Sequence, residues 1–217
     1  METLREGSIS QRELCSNALR DFRQSTKGRI VENPESYLTN HAKNDRSVDP
    51  SKYRFETHTL GELMDSPINV DANNVIALYD SSHKGEEILP IAFAAFELES
   101  LHFGPSSVVY QLQAGSEGRT AFNPLLGDIR WEVMFLRMIS DWSKQNDFAC
   151  ASIPADKCYW FQRGYELANL RNQSLCLEDF QANLKRRYDG AARRAKFSKD
   201  EVTKLWVDKT TIPNYLS

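Results

Sequence analysis

The chain has 217 residues, of which 41% are hydrophobic, 26% charged and 11% aromatic, with a formal net charge of −3. This composition excludes a disordered chain and suffices for one sizeable core, or one domain with a small appendage. The mild acidity excludes a polybasic membrane anchor and a wholesale nucleic-acid coat.

Cys15, Cys150, Cys158 and Cys176 show no paired spacing. Reduced thiols, and with them a soluble cytoplasmic protein, are the expectation. The first residues are too charged for a signal peptide, and no run approaches the roughly 18 apolar residues of a membrane span.

In chain order, Ser10 and Glu13 fit a capping box, and Leu14, Ala18 and Phe22 form one apolar stripe. They predict a helix over 11–25. Residues 26–52 are polar, with turn signals at Pro34 and Pro50, and read as a linker or as a loop laid over the domain. The predicted organisation is a polar N-terminal helix and linker over 1–55, then a single α/β domain over 56–217. A short helix is expected over 60–64.

Strands follow over 74–79, 88–98 and 108–112. The second is apolar almost throughout and is expected to be covered on both faces, with Pro90 at its start or at a bulge. The third alternates and is expected to be half-buried. Turns over 81–85 and 103–106 make the three an antiparallel meander.

Residues 113–122 form a loop bearing Gly115 and Gly118. A helix then runs to about residue 144, starting at Pro124 or, because Gly127 weakens it, at Asp128. Trp131, Phe135, Met138 and Trp142 give it one apolar stripe, and Ile129, Val133 and Leu136 a second, so it is buried on more than one side. A strand over 147–153 ends at Pro154. A short helix over 155–163 closes at Gly164, and 165–168 is a strand candidate. A helix with a basic end spans 175–196. Ser198 and Glu201 make a second capping box before 202–207, whose β-branched and aromatic content favours strand; both remain open.

The layout of 106–167, strand, glycine-bearing loop, apolar helix, strand, short aromatic helix, resembles the acyl-CoA-binding half of GNAT N-acetyltransferases. Residues 57–170 carry the resemblance. It implies an α/β fold with a mixed, largely antiparallel sheet and flanking helices, splayed near Gln113. It implies acetyl-CoA or another acyl-CoA as donor and an amine as acceptor. The family's loop of pattern Arg/Gln-x-x-Gly-x-Gly/Ala holds the coenzyme's pyrophosphate. Here that stretch contains Gly115, Gly118, Arg119 and Thr120; only Gly118 matches outright, and Arg119 suits phosphate in either frame. The family's tyrosine that reprotonates the thiolate falls at Trp160, leaving neighbouring Tyr159 as the nearest donor. Residues 188–197 also resemble the family's closing phrase, but the strand over 147–153 favours the earlier placement.

Glu97 and Glu99 share one facing at the end of the second strand. Glu97 is the candidate base toward an amine; the plainer reading is a solvated strand end. Tyr110 suits packing or an acceptor pocket. Cys158, near the start of a short helix, is a candidate thiolate, but no motif selects His41, His58, His83 or His102 as its partner. No spacing fits a metal site. Lys185, Arg186, Arg187, Arg193 and Arg194 form a basic segment, with Tyr188 and Phe197 able to stack. It supports the alternative: a catalytically inactive GNAT-like protein that contacts nucleic acid or a protein partner through 185–197.

Overall fold

A computed structural model describes residues 33–43, 47–63, 70–82, 89–114, 124–164 and 176–212, with residues 17 and 166. The expected helix over 11–25 lies outside them apart from Asn17, as do most of the turn over 81–85 and of the strand candidate over 165–168.

Seven strands form one mixed sheet. They are β1 (Tyr53–Thr59), β2 (Asn74–Asp80), β3 (Ala92–Leu101), β4 (Gly104–Ala114), β5 (Ala149–Ser152), β6 (Ser198–Lys199) and β7 (Trp206–Asp208), in the order β1-β2-β3-β4-β5-β7-β6. Every neighbouring pair is antiparallel except β4 and β5, which are parallel. A helical crossover joins these two, as a parallel pair requires.

The expected meander is present as β2, β3 and β4. Residues 92–96 of β3 are buried, and Pro90 precedes the strand. β4 differs from expectation: it is buried nearly throughout, because the second face of the sheet is also covered. β1 was not anticipated. Tyr53 and Phe55 face the core, while Arg54, Glu56 and His58 alternate with them on an edge strand, so the segment looks polar.

Helix α1 (Pro34–Asn40) is capped by the Asn33 side chain and buries Leu38 in the main core. α2 (Leu60–Leu63) lies where a short helix was expected. The single helix expected from Pro124 or Asp128 is two: α3 (Pro124–Gly127) and α4 (Trp131–Gln145). Between them, the Lys43 amide donates to Asp128 O at 2.8 Å, and the Arg130 amide donates to His41 O at 2.8 Å. This extended pairing against the end of α1 forbids continuous helix. α4 then buries Trp131, Phe135, Met138 and Trp142, as its stripes predict.

The helix expected over 175–196 is also two, α5 (Leu177–Arg187) and α6 (Asp189–Arg194), meeting at Tyr188. The Asp189 carboxylate accepts from the Ala155 amide at 3.2 Å and from Trp206 Nε1 at 2.8 Å, which ties the junction to the sheet. After α6, the Asp200 carboxylate caps a turn through the Thr203 amide at 2.7 Å, and residues 206–208 are strand. Of the segment 202–207, left open between helix and strand, only 206 and 207 are strand, where Val207 pairs with Ala151 at the centre of the β5–β7 ladder; 202 and 203 lie in a turn.

The main core lies between the sheet and α4 and α6, and contains Ile76, Ala94, Phe96, Phe135, Tyr188 and Phe197. A smaller cluster of Val75, Ala77, Tyr79, Phe93 and Ala95 lies on the other face.

Candidate functional site

β4 and β5 pair from Ser106 with Ala149 to Val109 with Ser152, and then part. The Ile153 amide makes the last link, to Val109 O at 3.0 Å. Pro154 has no N–H to continue the ladder, and the chain leaves the sheet. At the same level Gln111 pairs with Ala95 and Val109 with Phe96, so Tyr110 is the extra residue of a β-bulge in β4. Bulges bend a strand and re-aim its side chains. β4 thus continues to Ala114 with no strand on its β5 side among the described residues.

Tyr188 enters this gap from the α5–α6 junction. The Leu112 amide donates to its hydroxyl oxygen at 3.1 Å. The hydroxyl also hydrogen-bonds the Cys158 thiol, and the Trp160 and Phe161 amides reach the same sulfur. Burial holds the Tyr188 pKa well above the usual phenol value. Burial also raises the Cys158 pKa despite these hydrogen bonds, so Cys158 is a thiol and not the dipole-stabilised thiolate weighed from the sequence.

Beside Tyr188 is a cavity of about 180 Å³, lined by Leu112, Gln113, Ala114, Trp160, Phe180, Leu184 and Arg187. Gly164 packs against two of its lining rings. A Cβ there would lie 2.8 Å from Trp160 Cε3 and 3.0 Å from Phe180 Cζ. Gly164→Ala therefore forces at least one of these two rings to shift. The expected cost is about 1–3 kcal/mol, measured as a fall in urea midpoint.

The cavity shares Phe180, Leu184 and Arg187 with a wider hollow of about 430 Å³. Arg186, Arg187 and Arg194 line it, with Glu132 from the first turn of α4 as its acid. The Arg187 guanidinium lies over the Trp131 ring, 5.6 Å from its centroid.

The opposite face of the sheet is polar at this level. Gln111 Nε2 donates to Gln113 Oε1 at 2.7 Å, and the Asp71 amide donates to Gln111 Oε1 at 2.9 Å. Glu97 Oε1 accepts from the Asn73 amide at 2.5 Å, and the Tyr110 hydroxyl donates to Glu99. Burial first, and Glu99 second, raise the Tyr110 pKa above the usual phenol value.

Of the residues singled out in the sequence, Gln113 lines the cavity, and Glu97 lies one strand away, on the face opposite α4. Tyr159 is 39% exposed, stacked edge-on to Trp160. Gly115, Gly118, Arg119 and Thr120 lie outside the described residues. In the basic segment, Arg186, Arg187 and Arg194 line the wider hollow. Lys185 is exposed, and Arg193 lies over the Trp206 ring. Sequence reasoning assigned no site role to Leu112, and it considered Tyr188 only for stacking; the resemblance of 188–197 to the family's closing phrase was the available signal. Among the described residues no group of His, Cys, Asp and Glu could hold a metal ion, and no helix is long and apolar enough to cross a membrane.

No protein-family model matches the chain, and no curated protein matches it in sequence.

Proposed function

We propose that the protein is a GNAT-like acyltransferase that moves an acyl group from acyl-CoA to an amine. One observation carries this reading: a parallel strand pair that parts at a bulge, beside a cavity that shares Phe180, Leu184 and Arg187 with an arginine-lined hollow. A thioester on a long arm ending in phosphates has this same sequence of chemistries.

In this reading the acyl end enters the cavity at Leu112. The phosphates lie against Arg186, Arg187 and Arg194 near the first turn of α4, where unpaired amides and the helix dipole favour anions. The loop with Gly115, Gly118, Arg119 and Thr120 joins β4 to this helical region and is proposed to complete the phosphate site. The amine approaches from the face bearing Glu97 and Glu99, whose negative charge attracts an ammonium. Glu97 is the proposed base. The nitrogen lone pair attacks the thioester carbon, the C–N bond forms and the C–S bond breaks. The departing thiolate needs a proton. Tyr188 lines the cavity and keeps its proton at neutral pH, so it suits this role better than the exposed Tyr159.

The non-catalytic alternative is favoured by the Tyr188 hydroxyl itself, which is already engaged by Leu112 and Cys158. A thermal-shift titration separates the two. Acetyl-CoA at 100 times its Kd stabilises by about 2.7 kcal/mol, a Tm rise of roughly 5–10 °C. Arg186→Ala with Arg187→Ala weakens that binding about tenfold or more. No shift at millimolar acetyl-CoA, with a salt-sensitive shift from an oligonucleotide, overturns the acyltransferase reading.

A further inference from the structure

A third hollow, of about 560 Å³, lies between α1, α4 and the end of α6. It touches the arginine-lined hollow only through Arg194, which lines both. Arg130, Arg137, Arg194 and Lys196 face it, against the single carboxylate of Asp141. Two of these charges are engaged: Arg137 Nη1 donates to Asp208 Oδ2 at 3.2 Å, and Asp141 accepts from the Tyr37 hydroxyl. Among the described residues, no carboxylate lies within ion-pair distance of Arg130, Arg194 or Lys196. The His41 imidazole at the wall has a lowered pKa, first through burial and further through Arg137 and Arg130, so it adds no positive charge near neutrality. This is a concentration of cations in a chain whose net charge is −3.

Two of the cations occupy positions that local physics disfavours. Arg130 is the N-cap of α4, where its side chain makes no capping bond and its charge meets the positive end of the helix dipole. Lys196 has a φ of 60°, in the left-handed turn that ends α6. The Phe197 amide reaches back over it to Ala192 O at 2.9 Å, a helix ending at which glycine is the unstrained choice. Neither residue serves the fold where it stands, and a bound anion would offset both costs.

We propose that this hollow binds a small phosphate ester of about mononucleotide size. Its volume falls in the range of small-molecule sites, about 300–1,000 Å³. The guanidinium groups of Arg130 and Arg194, neither ion-paired among the described residues, and the Lys196 ammonium match a phosphate dianion better than a monocarboxylate. Val133 and the stacked rings of Tyr37 and His41 supply a less polar flank for the esterified group. The site shares Arg194 with the hollow assigned to the acyl-CoA phosphates, but Arg130 and Lys196 line this hollow alone and so report on it separately.

The test is calorimetric titration of the full chain with uridine monophosphate, uridine and a short oligouridylate. The monophosphate binds and uridine does not. Lys196→Gly and Arg130→Ser each weaken binding about tenfold, the loss expected for one charge-assisted hydrogen bond. Neither lowers the Tm of the free protein, because glycine suits the left-handed turn and serine suits the N-cap. Lys196→Gly raises it by about 2–4 °C. Acetyl-CoA binding is unchanged in both. Unaltered monophosphate affinity in both variants overturns the proposal. So does equal binding of uridine, or binding of the oligouridylate alone with a steep salt dependence, which would make the groove a nucleic-acid surface.

Discussion

On the proposed acyltransferase reading, Tyr188→Phe is expected to lower acyl transfer by roughly 10²–10⁴-fold, the range for loss of a positioned proton donor, while the Kd for acetyl-CoA changes little. The same substitution removes the acceptor of the Leu112 amide. The buried N–H then lacks a partner, and stability falls by about 1–3 kcal/mol. The two readouts separate the two roles. A purely structural tyrosine moves the urea midpoint but leaves the rate per folded molecule intact, and that result would sink the catalytic assignment. Tyr159→Phe, at an exposed ring, serves as the control and leaves both nearly unchanged. The Cys158→Ala variant isolates the third member of the chain: it frees the Tyr188 proton from the thiol without touching Leu112.

Stability also falls steeply in alkali. Burial pushes the Cys150 thiol up to about 12 and, together with nearby carboxylates, the Tyr53 and Tyr79 phenols to about 12. Burial also raises the Tyr188 phenol well above its ordinary value. In the unfolded chain these groups ionise near their ordinary values, about 8.5 for a thiol and about 10 for a phenol. Between the two sets of values the unfolded chain binds fewer protons than the folded one, so ionisation favours unfolding as pH rises. The contribution is fully present below about pH 8.5 and is lost progressively toward about pH 12. Cys150, fully buried in β5, is a main contributor to this dependence, because burial raises its thiol to about 12 in the folded chain. Urea midpoints measured from about pH 8 to 11 should fall continuously. Cys150→Ala should be less stable at neutral pH, yet shallower in its pH dependence above about pH 8.5. An unchanged slope in that variant would show that the thiol ionises at the same pH in both states.

The elements legible in the sequence are those whose signal is local. β2, β3 and β4 are apolar runs bounded by turns, and α4 carries two helical stripes. β5 is a short apolar run stopped by Pro154. Each buries its side chains whatever lies beside it, so pattern suffices. Elements with a divided signal were lost. β1 alternates Tyr53 and Phe55 with Arg54, Glu56 and His58, and reads as linker because an edge strand tolerates charge. The breaks at Gly127 and Tyr188 fall inside patterns that continue helically. They exist because residues 41–43 pair with residues 128–130, and because Asp189 bonds Ala155 and Trp206. The basic segment was visible as charge, but its division was not. Arg186, Arg187 and Arg194 turn toward a hollow, while Arg193 covers Trp206.

The amino-acid order alone thus determined an α/β protein with an antiparallel meander, a buried helix leading into a further strand, and a basic segment near the C-terminus. Tertiary structure decided where the sheet opens, which tyrosine enters the opening, and how cations from three helical regions come to share neighbouring hollows. The physical reason is range. Hydrophobic period and turn chemistry act over a few residues, whereas the bond from Leu112 to Tyr188 spans 76 positions and exists only once the sheet and helices have packed.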